Sequence, residues 1–134
     1  MHTHDSIYLE TREDLIKLLN QSNYDYIIIK FKATWCKPCK TIEPFVNQQV
    51  SNKFKELNEK QKTNVFLYIE ADVDECVDLY SFLKKMKRIN GVPSMILYDK
   101  SVYSQFEDEY KYIPQQCVTG SYENKIKQLF DMIQ

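Results

Sequence analysis

The chain has 134 residues, close to the about 150 residues of one domain, and its 18 Lys and Arg against 19 Asp and Glu leave a net charge of −1. That balance supplies no global field to hold nucleic acid or an anionic membrane surface. Hydrophobic residues at 43% and charged residues at 28% suit an ordinary packed core and exclude a disordered chain. No run approaches the roughly 18 consecutive apolar residues of a membrane span.

The first residues, MHTHDSIYLETRED, contain no apolar leader segment and turn acidic early, which argues against secretion. His2 and His4 read as part of a frayed terminus. Ser6–Glu10 is predicted as a short first strand. Thr11-Arg12-Glu13-Asp14 then starts a helix, with the Thr hydroxyl and the Asp carboxylate placed to satisfy free amides. Leu15, Ile16, Leu18 and Leu19 give that helix its apolar face, up to about Asn20–Asn23. Tyr24–Lys32 (YDYIIIKFK) is β-branched and aromatic with an unbroken apolar centre, the pattern of a strand buried on both faces. Helical spacing resumes after Cys36 and runs through Ile42, Phe45, Val46, Val50, Phe54 and Leu57, with Pro44 expected to kink it. Asn64–Glu70 is the next strand, followed by an acidic turn and a helix over Val77–Arg88 that Asn90-Gly91 should end. Ser94–Asp99 is a further strand. A polar, Tyr-rich stretch ends in a strand near Tyr112–Val118, and Glu123–Ile133 is an amphipathic last helix. Alternating strands and helices imply an α/β sandwich about a central mixed sheet flanked by about four helices, in one domain over residues 1–134. Only two glycines occur, Gly91 and Gly120, so each is expected where the backbone requires one.

The chemistry concentrates at Trp35-Cys36-Lys37-Pro38-Cys39-Lys40, where a buried strand gives way to a helix. Cys36 at a helix N-terminus meets unpaired amides and the positive end of the dipole, and Lys37 adds positive charge. Cysteines so placed have pKa values of roughly 3.5–7.5 instead of about 8.5. Cys39 lies one turn further in, on the same face and within disulfide reach. The spacing thus provides an exposed attacking thiolate and a more buried second thiol to resolve a mixed disulfide. Pro38 stiffens the first turn without losing a needed amide. A zinc site would need two more soft ligands, but Cys76 and Cys117 are single and both histidines lie in the N-terminal tail.

These residues resemble the thioredoxin family over most of the chain, from about Ser6 to Ile133. Ala33-Thr34-Trp35-Cys36-Lys37-Pro38-Cys39-Lys40 matches the family's active-site segment. Asp72-Val73-Asp74, Gly91-Val92-Pro93-Ser94 and Val118-Thr119-Gly120 match, in order, three of its loops. The resemblance implies the thioredoxin fold, Cys36 as nucleophile and Cys39 as resolving thiol. It also implies a cis bond before Pro93, and an apolar surface of Trp35, Val73, Val92, Pro93 and Gly120 that receives an extended substrate segment. It implies protein disulfides as substrates, a thioredoxin reductase or glutathione as electron donor, and no bound metal, flavin or nucleotide. The expected compartment is the cytoplasm, with neither nucleic acid nor membrane as partner.

Three features depart from the pattern. Lys30 stands where thioredoxins usually carry a buried acid. Either it takes part in proton transfer with Cys39, or it reaches solvent and does nothing catalytic. Lys37 replaces the usual Gly, and positive charge there should move the redox couple in the oxidising direction. The segment around 100–116 is longer than the family's hairpin by about ten residues, expected as a solvated insertion with a few packed aromatics. Cys76 reads as a helix-start thiol and Cys117 as a small hydrophobe in the last strand. The leading function is reduction of protein disulfides through a Cys36/Cys39 cycle. The alternatives are isomerase or oxidase work, or a binding module whose dithiol is idle.

Overall fold

The structure, a computed structural model, describes residues 7–134; Ser6, His2 and His4 lie outside the described residues. Its centre is β1 (Tyr26–Lys32), in which every residue but the two ends is buried. The strand pairs in parallel with β2 (Phe66–Asp72) and antiparallel with β3 (Ser94–Asp99), and β4 (Gln116–Thr119) adds to the far edge of β3. Among the described residues the sheet is therefore mixed, in the order β2-β1-β3-β4. Alternate β1 side chains enter opposite layers. Ile27, Ile29 and Phe31 pack with Leu15 and Leu19 of α1 (Arg12–Gln21) and Leu79 and Leu83 of α3 (Val77–Lys85). Ile28 packs with Ile42, Val46 and Val50 of α2 (Lys37–Glu59) and with Ile126, Leu129 and Phe130 of α5 (Glu123–Asp131). This two-sided enclosure is why the run YIIIKFK needs no polar alternation.

The capping box of α1 forms as its sequence implies: the Asp14 amide donates to Thr11 Oγ1 at 3.1 Å, and the Thr11 amide to the Asp14 carboxylate at 3.1 Å. Pro44 lies inside α2, which continues uninterrupted from Lys37 to Glu59. Helix α3 stops three residues before Arg88, earlier than Asn90-Gly91 implied. Lys87 takes the left-handed conformation (φ 59°) and the Arg88 amide turns back to Leu83 O at 2.8 Å, closing the helix before glycine is reached. The two glycines do occupy positive-φ positions, 112° at Gly91 and 102° at Gly120.

The first strand is not formed over residues 7–10. Leu9 is buried in the core, while the amide of Glu10 is taken by Asp14 and its carbonyl by the Leu79 amide at 3.2 Å. Those backbone groups are committed to helices, so the segment docks without entering the sheet. The insertion is also more ordered than a solvated loop. It forms a four-residue helix α4 (Lys100–Tyr103) and a 3₁₀ turn (Asp108–Tyr110), and it folds back over α1. Its aromatics are anchors: the Tyr103 hydroxyl donates to Leu19 O at 3.0 Å, and the fully buried Tyr98 hydroxyl of β3 donates to Tyr112 O at 2.7 Å. Lys111 and Asp108 hydrogen-bond Asn20 at the end of α1.

Tyr98→Phe removes one of these bonds and leaves a carbonyl unpaired beside a buried ring. We expect a loss of about 1–2 kcal/mol in urea denaturation, with no change in secondary structure by circular dichroism.

Candidate active site

The last residue of β1 leads directly through Ala33, Thr34 and Trp35 to Cys36, the N-cap of α2. The enclosed strand thus delivers the cysteine to a fixed point. The Cys36 amide donates to Ala33 O at 3.2 Å, and Cys36 Sγ accepts the Cys39 amide at 3.2 Å. Lys37 and Pro38 occupy the first turn, both exposed. Cys36 and Cys39 are joined as a disulfide with Cα atoms 5.3 Å apart. Exposure does not separate them as the spacing implied: each is 4% exposed. In the bonded state the Cys36 sulfur is turned toward the first turn of α2, where Cys39 and its amide lie.

The residues expected around this pair converge on it to different degrees. Ala33, Val73 and both cysteines belong to one buried cluster, against which Val92 packs. Val73 is tied to β1 by its amide, which donates to Lys32 O at 2.9 Å. Trp35 is 66% exposed, and its indole N–H donates to Asp74 at 3.0 Å, pinning the ring to the loop after β2. The Val92–Pro93 bond is cis. Pro93 O accepts the Gly120 amide at 2.8 Å, and Ser94 Oγ lies 3.0 Å from Thr119 Oγ1, so the two loops are joined. The Tyr122 ring lies against Gly120; a Cβ there would stand 2.8 Å from Tyr122 Cε2.

Lys30 is 1% exposed and does not reach solvent. It shares the face of β1 with Ile28, under α2, and stands directly opposite Glu70 on β2. Its Nζ is 3.9 Å from Glu70 Oε2, and the same carboxylate accepts from Lys32 Nζ at 2.9 Å and from the Tyr68 hydroxyl at 2.8 Å. Burial lowers the Lys30 pKa, opposed by the charges of Glu70 and of Glu43, one turn beyond Cys39 on α2. For Glu70 burial acts to raise the pKa, but the bonds from Lys32 and Tyr68 and the charges of both lysines carry it below the usual carboxylate range. Lys32 is raised, mainly by its bond to Glu70. Sequence reasoning missed Glu70 and Tyr68 as parts of this region, and named Asp74 in a matching loop without its bond to Trp35. The signal available was a carboxylate closing the otherwise apolar run NVFLYIE.

The other two cysteines stand apart from the pair. Cys76 is the N-cap of α3, 2% exposed, its thiol pushed up to about 12 by burial and by the neighbouring Asp72, Glu75 and Asp74. Cys117 is half-buried on β4, its thiol also raised by burial. Among the described residues no cluster of three or more His, Cys, Asp or Glu is placed to hold a metal ion.

An enclosed strand handing the chain to a helix whose N-terminus holds a disulfide defines a protein of thiol–disulfide exchange. The chain belongs to the thioredoxin family: the family profile described as Thioredoxin matches residues 7–112. It is 32% identical to the thioredoxin of Equus caballus over 93 residues, 61% of this chain and 79% of that protein. It is 36% identical to the thioredoxin of Homo sapiens over 73 residues, 54% of this chain and 60% of that protein. Among solved structures, Fasciola hepatica thioredoxin superposes with a TM-score of 0.59 at 22% identity, covering 100% of both chains. Mitochondrial thioredoxin 3 of Saccharomyces cerevisiae does so with 0.62 at 16% identity, covering 99% of this chain and 95% of that one. These two likenesses carry the fold; the family and the proximal cysteine pair make the chain a thiol–disulfide oxidoreductase of the protein-disulfide reductase class.

Lys30→Met should stabilise the fold by about 1 kcal/mol at pH 7, because an apolar chain replaces a buried ammonium while Glu70 keeps its bonds to Lys32 and Tyr68. The folded chain releases the Lys30 proton at lower pH than the unfolded chain does. Between those two values the unfolded chain binds more protons, so wild-type stability gains with rising pH. The advantage of the variant should therefore narrow as pH climbs toward the ordinary lysine range. Denaturation midpoints at pH 7 and 10 check both statements, and a variant less stable at pH 7 refutes them.

Proposed function

We propose that Cys36 is the nucleophile and Cys39 the resolving thiol in the reduction of protein disulfides. The observation that carries this assignment is the position of Cys36 as N-cap of α2, with its sulfur accepting the Cys39 amide. In the reduced protein that amide and the helix dipole favour the Cys36 thiolate. The thiolate attacks one sulfur of the substrate disulfide, forming a mixed disulfide and expelling the other substrate sulfur as thiolate. Cys39 then gives up its proton and attacks Cys36 Sγ. The Cys36–Cys39 bond forms, the mixed disulfide breaks and the second substrate thiolate leaves, so two electrons have passed to the substrate. An external two-electron donor, a thioredoxin reductase or glutathione, restores the dithiol.

Trp35, Val73, Val92, Pro93 and Gly120 would form the surface that receives an extended substrate segment, with the Tyr122 ring packed where Gly120 lacks a side chain. Lys30, buried near Glu70 and Glu43, would exchange a proton with Cys39 during resolution. Lys37 and Pro38 tune the couple. The working compartment is the cytoplasm, the whole chain acts as one domain, and no bound cofactor, nucleic acid or membrane takes part.

Dithiothreitol-driven insulin reduction tests the assignment. Cys36→Ser should abolish the gain over dithiothreitol alone, and Cys39→Ser should accumulate mixed disulfides; a wild type with no gain over Cys36→Ser leaves the fold as a binding module with an idle dithiol. Equilibration against glutathione should place the potential above the roughly −270 mV of thioredoxin and below roughly −180 mV, the direction set by Lys37. A value at or above the upper figure points to isomerase or oxidase work. Lys30→Ala should alter the pH profile of reduction, and an unchanged profile removes Lys30 from the mechanism.

A further inference from the structure

The chain has two arginines, and they are treated oppositely. Arg12 forms an ion pair with Asp78 at 3.0 Å. Arg88 has no ion pair among the described residues, and its Nε is the buried side-chain polar atom left without a hydrogen-bond partner. Its guanidinium carbon lies 5.9 Å from the centre of the Tyr112 ring. That ring is itself held edge-on by Phe82, 4.9 Å between centres, and the Tyr112 carbonyl is held by the Tyr98 hydroxyl. Packing fixes this guanidinium where no carboxylate among the described residues forms an ion pair with it.

Arg88 shares a cavity of about 520 Å³ with Lys84, Lys87, Ile89, Asn90 and Thr119. Its lining contains no acid among the described residues. The early stop of α3, with Lys87 left-handed and the Arg88 amide turned back to Leu83, brings Lys84, Lys87 and Arg88 to the lining of one cavity, the Lys84 ammonium also lying 5.3 Å from the Tyr80 ring centre. A half-buried guanidinium flanked by two exposed ammonium groups makes this opening attractive to an anion. The cavity also adjoins the redox site: Thr119 precedes Gly120, whose amide bonds Pro93 O, and Asn90 lies three residues before Pro93.

We propose that this cavity takes an Asp or Glu side chain of the protein substrate, a few residues from the disulfide being reduced. An extended segment advances about 3.3 Å per residue, so a segment lying on the Pro93 and Gly120 loops brings a nearby carboxylate to the guanidinium and ammonium groups. The inference rests on the disulfide-reductase reading and names the substrate class that reading leaves open: disulfides flanked by acidic residues.

Disulfide peptides differing only in a flanking Glu or Gln test it. At low salt the Glu peptide should be reduced with about five-fold higher kcat/KM. That ratio should fall toward one in Arg88→Gln, in Lys84→Gln/Lys87→Gln, whose lysines are both exposed, and in high salt. A ratio of one in the wild type, or a ratio that survives both variants, overturns the proposal. So does inhibition by S-methylglutathione that Arg88→Gln relieves in the absence of any Glu/Gln preference, which would give the cavity to a small tripeptide. Should neither peptide be reduced, the reductase reading fails and binding decides the cavity separately. A disulfide-free Glu peptide should then shift the Arg88 Nε–Hε NMR resonance while its Gln counterpart does not, and equal or absent shifts overturn it.

Discussion

The enclosure of β1 is the constraint on which the rest depends. Paired on both edges and covered on both faces, the strand cannot slide or tilt without opening two layers of core. Its end is therefore a fixed point, and Cys36 is only four residues beyond it. A reactive pair that must meet a partner's sulfur in line benefits from such rigidity. The same strand carries Lys30 inward, and its register with β2 sets that ammonium opposite Glu70. The buried ammonium faces that carboxylate at 3.9 Å, while Lys32 and the Tyr68 hydroxyl make the carboxylate's shorter bonds.

The surface around the disulfide is assembled from loops that the sheet and helices bring together. Trp35 is held to the loop after β2 by Asp74, and the Pro93 loop is stitched to the Gly120 loop by backbone and hydroxyl bonds. The inserted segment, distant in sequence, reaches this region indirectly. Tyr112 packs against Phe82 of α3 and shelves Arg88, which follows that helix. Thus a segment that follows β3 in the chain bears, through Tyr112, on the position of Arg88.

Much of this was legible in the amino-acid order, and what was not has physical causes. The unbroken apolar run of β1 and the Trp-Cys-Lys-Pro-Cys motif are local signals, and fold and cysteine pair followed from them. The capping box at Thr11 is local too. The end of α3 misled because Asn-Gly is the stronger stop signal by composition, whereas the chain closes the helix through Lys87 in a conformation lysine rarely adopts. Ser6–Glu10 has strand-like composition, but a long-range bond from Leu79 to Glu10 claims its backbone. The insertion shows no period, and its order comes from tyrosine hydroxyls reaching carbonyls 14 and 84 residues away. The Glu70 network depends on strand register, which one sequence does not display.

The two remaining thiols have a consequence for how the molecule counts electrons. Cys76 is sealed at the start of α3 with its thiol pushed up to about 12, and Cys117 is half-covered on the opposite edge strand with its own thiol raised. Burial disfavours the thiolate at both positions, which makes each a poor nucleophile at neutral pH. Four sulfurs thus behave as a carrier of two electrons, filled and emptied as a unit. A mild oxidant would drive the chain to one product, without scrambled pairings or covalent dimers, and the exchange chemistry stays at the tip of a single helix.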